Sequence, residues 1–149
     1  MTGSQMFAKL TERALEEHAL IHFHLDQLER ALLDLDPEHA LPETLRTVTV
    51  RIDSFKERLT EHFGTEEDGG LLQGILGALP QAESDVRRLR AQHPRLDEAL
   101  ERARAIARRG DPAEAPVLKA ELDRFLALMR EHERDEDALL KRALRQDEC

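Results

Sequence analysis

The sequence predicts an all-α fold: an up-down-up-down four-helix bundle with a short extra helical turn after the second helix. Three observations predict it. Four long stretches carry apolar residues at alternating steps of three and four, the spacing of one helix face. Proline and glycine signals separate the stretches, at Asp36-Pro37, Leu41-Pro42, Gly69-Gly70 and Gly110-Asp111-Pro112. Only the short run Thr47-Val48-Thr49-Val50 has strand character. The length of 149 residues favours one domain, here residues 1–149.

The first helix is expected over about residues 5–34, with the stripe Ala14, His18, Ile21, Leu25, Leu28 and Leu32. The second is expected over about 42–67, with Leu45, Val48, Ile52, Phe55, Leu59, His62 and Glu66 in phase. Pro42 suits its first position, where a missing N–H costs nothing. Leu71 to Leu79 reads as the extra turn, covering one end of the bundle. The third helix is expected over about 81–109, with Val86, Leu89, His93, Leu96, Leu100 and Ala103, and a kink at Pro94. The fourth is expected over about 113–144, with Leu118, Leu122, Phe125, Met129, His132, Glu136, Leu139 and Ala143. Modest links let neighbouring helices run antiparallel.

The chain also repeats itself. With His62 placed over His132, Phe55 falls on Phe125, Glu61 on Glu131 and Glu66 on Glu136. With His18 placed over His93, Ile21 and Leu25 fall on Leu96 and Leu100. The pattern is that of a helical hairpin used twice.

Composition narrows the function. The net charge of -9 argues against nucleic acid, whose phosphates require a basic face. Charged residues make up 36% of the chain and the mean hydropathy is -0.56, and no apolar run is long enough to span a bilayer. The N-terminal stretch lacks a signal-peptide pattern, so a cytoplasmic protein is expected. The single cysteine, Cys149, can form neither an internal disulfide nor a cysteine-based cluster site, and is expected to be exposed. Trp and Tyr are absent. No P-loop, dinucleotide fingerprint or nucleophile elbow occurs.

The chemistry lies in the phase of the polar residues. His18, His62, His93 and His132 each take a core position on a different helix, and Glu66 and Glu136 follow one turn after a histidine. Residues i and i+4 share a face about 6 Å apart along the axis. An ionised carboxylate buried without a partner costs several kcal/mol, a large share of a domain stability of roughly 5–15 kcal/mol. No Lys or Arg stands on the stripes at this level, so another positive charge is expected inside. Neutral imidazoles and hard carboxylates are ligands that iron accepts. Six ligands exceed the four of a tetrahedral zinc site. If each glutamate bridges, two ions each receive two nitrogens and two oxygens. A solvent-derived oxo or hydroxo bridge would make each five-coordinate and leave an open position for O2, NO or peroxide. Glu-x-x-His, the ferritin-type signature, is absent.

The segments LEEHALIHFHLDQL, EHFGTEEDGGLL, LRAQHPRLDEAL and LMREHERDEDALL resemble the hemerythrin family, in its bacterial His-His-Glu cation-binding branch, from about Leu10 to Leu144. The resemblance implies a non-haem di-iron centre in a four-helix bundle, with His18, His62, bridging Glu66, His93, His132 and bridging Glu136 as ligands. Asp97 stands where oxygen-carrying hemerythrins have a second histidine on the third helix. Asp137 matches their His-x-x-x-x-Asp spacing, yet helical phase selects Glu136 and turns Asp137 aside. Four His with two Glu is closer to the di-iron proteins linked to nitrosative stress and iron–sulfur repair, whose paired-cysteine module is missing here.

His22, one turn after His18, is a candidate fifth nitrogen ligand or supporting group, while His24 and His39 are expected to be solvated. Glu61 and Glu131 are candidates for orienting imidazoles. The functional expectation is a di-iron protein binding O2 or NO for sensing, storage or detoxification. The alternatives are a di-iron enzyme reducing NO or decomposing peroxide, an iron reservoir or donor for iron–sulfur repair, and a helical interaction module with a structural metal. No membrane or nucleic-acid partner is expected.

Overall fold

The structure, a computed structural model, describes residues 2–148. Cys149 lies outside the described residues. Helix α1 spans Gly3–Leu33, α2 Pro42–Glu67, α3 Leu71–Ala78, α4 Glu83–Arg109 and α5 Ala115–Glu148. Single 3₁₀ turns at Pro80–Ala82 and Pro112–Glu114 lead into α4 and α5. The described residues contain no strand, and Thr47–Val50 lies inside α2.

Local chemistry sets the boundaries. Thr2 and Gln5 form a capping box, in which each side chain accepts from the other's backbone N–H, so α1 starts two residues before the expected Gln5. Pro42 occupies the first turn of α2. Gly110 takes φ 64° and closes α4, its N–H donating to the Ala107 carbonyl. The Asp111 side chain accepts from the Ala113 N–H and starts the turn into α5. Pro94 sits within α4, and the helix continues through it.

The long helices form a ring in which α1 packs on α2 and α5, and α4 packs on α2 and α5. Their stripes build two apolar clusters. One joins the C-terminal half of α1 (Ile21 to Leu32), the N-terminal half of α2, the C-terminal half of α4 and the N-terminal half of α5. There Phe55 and Phe125, equivalent in the repeat, meet edge to face at 5.5 Å. The other cluster joins Phe7, Ala14, Val86, Leu89, Leu139 and Ala143 to Leu71, Leu72 and Ile75 of α3. Helix α3 thus covers one end of the bundle, as the sequence predicts. Between the two clusters in chain order, along α1, α4 and α5 and from α2 into α3, lie His18, His62, Glu66, His93, His132 and Glu136. The result is a polar layer between apolar layers. No helix among the described residues is long and apolar enough to cross a membrane.

Candidate metal centre

All six residues selected by helical phase are buried, with His18 3% exposed, His93 4%, and Glu66 and Glu136 0%. They form two four-residue groups, His18–His62–Glu66–Glu136 and Glu66–His93–His132–Glu136. Within each group one ligand atom per residue lies within 4.8 Å of the others. The glutamates belong to both. Glu66 sets Oε1 2.5 Å from His62 Nε2 and Oε2 2.6 Å from His93 Nε2. Glu136 sets Oε1 2.6 Å from His18 Nε2 and 3.5 Å from His62 Nε2, and Oε2 3.5 Å from His132 Nε2. Each carboxylate therefore offers one oxygen to each histidine pair.

His18 Nε2 meets Glu136 Oε1 at 2.6 Å and His62 Nε2 at 3.1 Å in hydrogen bonds, but most of the other atoms do not satisfy one another. Both Glu66 oxygens, Glu136 Oε2, His93 Nε2 and His132 Nε2 are buried without a hydrogen-bond partner. They converge at short range without the angles of a hydrogen bond, as donors around a common cation do. No Lys or Arg is among the buried residues described. A cluster of buried, unpaired donors of this kind fits a metal cation and fits a packed core badly. Nitrogen and hard oxygen donors in equal reach suit first-row metals, iron included.

The electrostatics give the same answer. Burial lowers the pKa of His62, but the carboxylates of Glu136, Glu17 and Glu66 outweigh it and push it up to about 12. Burial likewise opposes the charge on His18, and Asp137 and Glu136 push it up to about 9. For Glu136 burial raises the pKa, yet the contact with Glu66 and the imidazoles of His132, His18 and His62 hold it well below the usual carboxylate range. The pocket demands positive charge, and protons supply it when a cation does not.

Each imidazole is backed on its other nitrogen. His18 Nδ1 lies 2.8 Å from Asp137 Oδ1, and His132 Nδ1 lies 2.5 Å from Gln92 Oε1. His62 Nδ1 faces Glu17 Oε2 at 3.5 Å, and His93 Nδ1 faces Glu67 Oε1 at 3.3 Å. Thr65 donates to Glu17 at 2.7 Å and fixes it. Only His18 and His132 are held by a hydrogen bond at Nδ1, which leaves Nε2 free to bind a cation; His62 Nδ1 and His93 Nδ1 make none. The Phe63 ring stacks on His93 with centroids 3.9 Å apart.

Several expectations change at this level. Asp137 stays out of both four-residue groups, but it does not turn aside, because its carboxylate holds His18. His22 is outside both groups; it is exposed and sits 3.3 Å from Glu133. Glu61 is exposed and pairs with Arg58, and Glu131 is exposed, so neither backs an imidazole. Residues one step away on the helix, Glu17, Glu67, Gln92 and Asp137, do so instead. A residue adjacent in sequence to a clustered His or Glu on one helix reaches across to an imidazole of a neighbouring helix, which no single-helix periodicity displays. His24 is half-buried rather than solvated, and burial together with Arg58 and Arg51 lowers its pKa. His39 is exposed beside Asp36, as expected of a loop residue. Asp97 pairs with Lys56 and takes no part in the centre.

Sequence reasoning missed Glu133. It is 2% exposed, both its oxygens lack hydrogen-bond partners, and burial pushes its pKa up to about 7 against the pull of His18 and His62. It is off the apolar stripe, and only its place beside His132 hinted at it. A surface groove of about 550 Å³ between α1 and α2 reaches Glu17 and Thr65, the residues behind His62.

The family model of the hemerythrin HHE cation binding domain matches residues 10–144. The chain belongs to the hemerythrin HHE cation-binding family. No curated protein and no solved structure matches it. The hemerythrin-like fold accounts for the polar layer at mid-bundle: it is a cation-binding domain with buried His and Glu groups that could hold a metal.

Proposed function

We propose that this hemerythrin-like chain is a non-haem di-iron protein that binds O2 or NO, with His18, His62, Glu66, His93, His132 and Glu136 as its metal ligands. One observation carries the reading: Glu66 and Glu136 each direct one oxygen to the His18–His62 pair and one to the His93–His132 pair. A carboxylate so divided is suited to bridging two ions, whereas one ion would leave the far oxygen of each glutamate buried and unpaired.

The six residues would hold a pair of ferrous ions, which would supply electrons and an open coordination position to a diatomic ligand. The residues supply the rest. Asp137 and Gln92 orient His18 and His132, Glu17 and Glu67 face His62 and His93, and the apolar clusters on either side exclude bulk water. The groove ending at Glu17 and Thr65 gives a small molecule an approach to the layer.

The test is to reduce the iron-loaded protein anaerobically and expose it separately to O2, NO and peroxide, following near-ultraviolet and visible absorption. With no Trp or Tyr in the chain, ligand-to-metal bands stand clear of side-chain absorption. A reversible spectral change with O2 or NO is expected. Continuous consumption of NO or peroxide would replace binding by catalysis, and no response to any of the three would end the proposal.

A further inference from the structure

The two halves of the centre have matching ligands and unmatched surroundings. In the repeat, His18 corresponds to His93, His62 to His132, and Glu66 to Glu136. The backing groups follow the same symmetry. Asp137 behind His18 corresponds to Glu67 behind His93, and Glu17 behind His62 corresponds to Gln92 behind His132.

The symmetry breaks in charge at two places. Glu17 is a carboxylate where Gln92 is a neutral amide. Glu133, at the position equivalent to Phe63, is a buried carboxyl 3.3 Å from His22 of α1, the helix of His18, whereas Phe63 lays an apolar ring on His93. The remaining pair differs in exposure: the Asp137 side chain is 32% exposed and Glu67 43%, and only Asp137 makes a hydrogen bond to its histidine. Gln92 holds His132 in a hydrogen bond at 2.5 Å while Glu17 faces His62 at 3.5 Å without one, but the carboxylates of Glu17 and Glu133 stand on the His18–His62 side. A carboxylate behind an imidazole raises its basicity as a ligand, and a charge in a buried setting acts at longer range than one in water.

We infer that the two ion positions are unequal, and that the one between His18 and His62 fills before the one between His93 and His132. The inference rests on the two-ion reading given above. Glu17 and Gln92 are positioning residues in this scheme and set the order through the histidines they back.

The experiment is a titration of metal-free protein with zinc(II), followed by the ring-nitrogen NMR signals of the four histidines. Repulsion between two cations makes even identical positions fill in two steps, so the order is the readout. With the first equivalent, the His18 and His62 signals are expected to move; with the second, those of His93 and His132. The conservative variant Glu17→Gln is expected to weaken the first step about tenfold. The paired exchange Glu17→Gln with Gln92→Glu is expected to move the first equivalent toward His93 and His132. All four signals moving together in the parent protein would overturn the inference and leave the two-ion reading intact. An unchanged partition in the exchanged variant would overturn the role of the two backing residues. Saturation at one equivalent would overturn the two-ion reading and the inference together.

Discussion

Glu136 and Asp137 are neighbours in the chain with different tasks, and the difference is measurable. Glu136 is completely buried and touches both histidine pairs, while Asp137 is partly exposed and touches His18 alone. Removing a bridging carboxylate takes one oxygen from each ion. Removing a backing carboxylate only weakens one imidazole, an effect of about 10- to 100-fold in affinity. Glu66→Ala and Glu136→Ala are therefore expected to lower the metal content of purified protein more than Asp137→Ala does, by elemental analysis. An equal or reversed ranking would contradict the assignment. At this scale the sequence told much about the buried His and Glu cluster and little about its support. The six proposed ligands lie on stripes that periodicity exposes. Glu17, Gln92 and Glu133 lie beside stripes, and their partners are on other helices, so only the packed bundle defines them.

At the scale of elements, helix α3 depends on a close approach. A Cβ on Gly74 would stand 2.6 Å from the Phe7 ring, which is buried between α1 and α3. The same addition at Gly77 meets nothing within 4 Å. Gly to Ala inside a helix is worth roughly 0.5–1 kcal/mol by backbone entropy. Gly77→Ala is expected to raise stability by about that amount. Gly74→Ala must displace a rigid ring in a filled core, at a cost of about 1–3 kcal/mol. Opposite signs in thermal denaturation are the expected result, and a gain at Gly74 would show that Phe7 is not seated there. The four long helices were readable from apolar period and from Pro and Gly punctuation, with ends displaced by a few residues where capping chemistry decides. The capping box moves the start of α1, and 3₁₀ turns delay α4 and α5. Pro94 lies within the helix expected over about 81–109, and α4 runs through it.

For the whole molecule, the polar layer couples stability to pH and to metal. In metal-free protein His18 and His62 stand at about 9 and about 12, above the ordinary 6.5. Their contribution is fully present below 6.5 and is lost as pH rises through about 9 and then toward 12. Glu133, raised from 4.5 to about 7, adds a cost as pH rises through that interval. Glu136, held low, contributes above 4.5 and loses its contribution as pH falls through its depressed value. The metal-free protein is thus expected to be most stable in mild acid and to weaken between 6.5 and 9. The His18 shift alone corresponds to on the order of 3 kcal/mol. Metal-loaded protein, whose histidines bind as neutral ligands, is expected to lose little over the same interval. Melting curves of chelator-treated and loaded samples across this range check the sign; identical pH profiles would argue that no cation replaces those protons.

The most direct measurement is the iron content and magnetism of protein purified from iron-supplied cells and then oxidised. Two iron ions per chain with coupled, mutually cancelling magnetism are expected, because Glu66 and Glu136 would join the ions. A single ion per chain, or two ions that behave as magnetically independent centres, would contradict a bridged pair at the middle of the bundle.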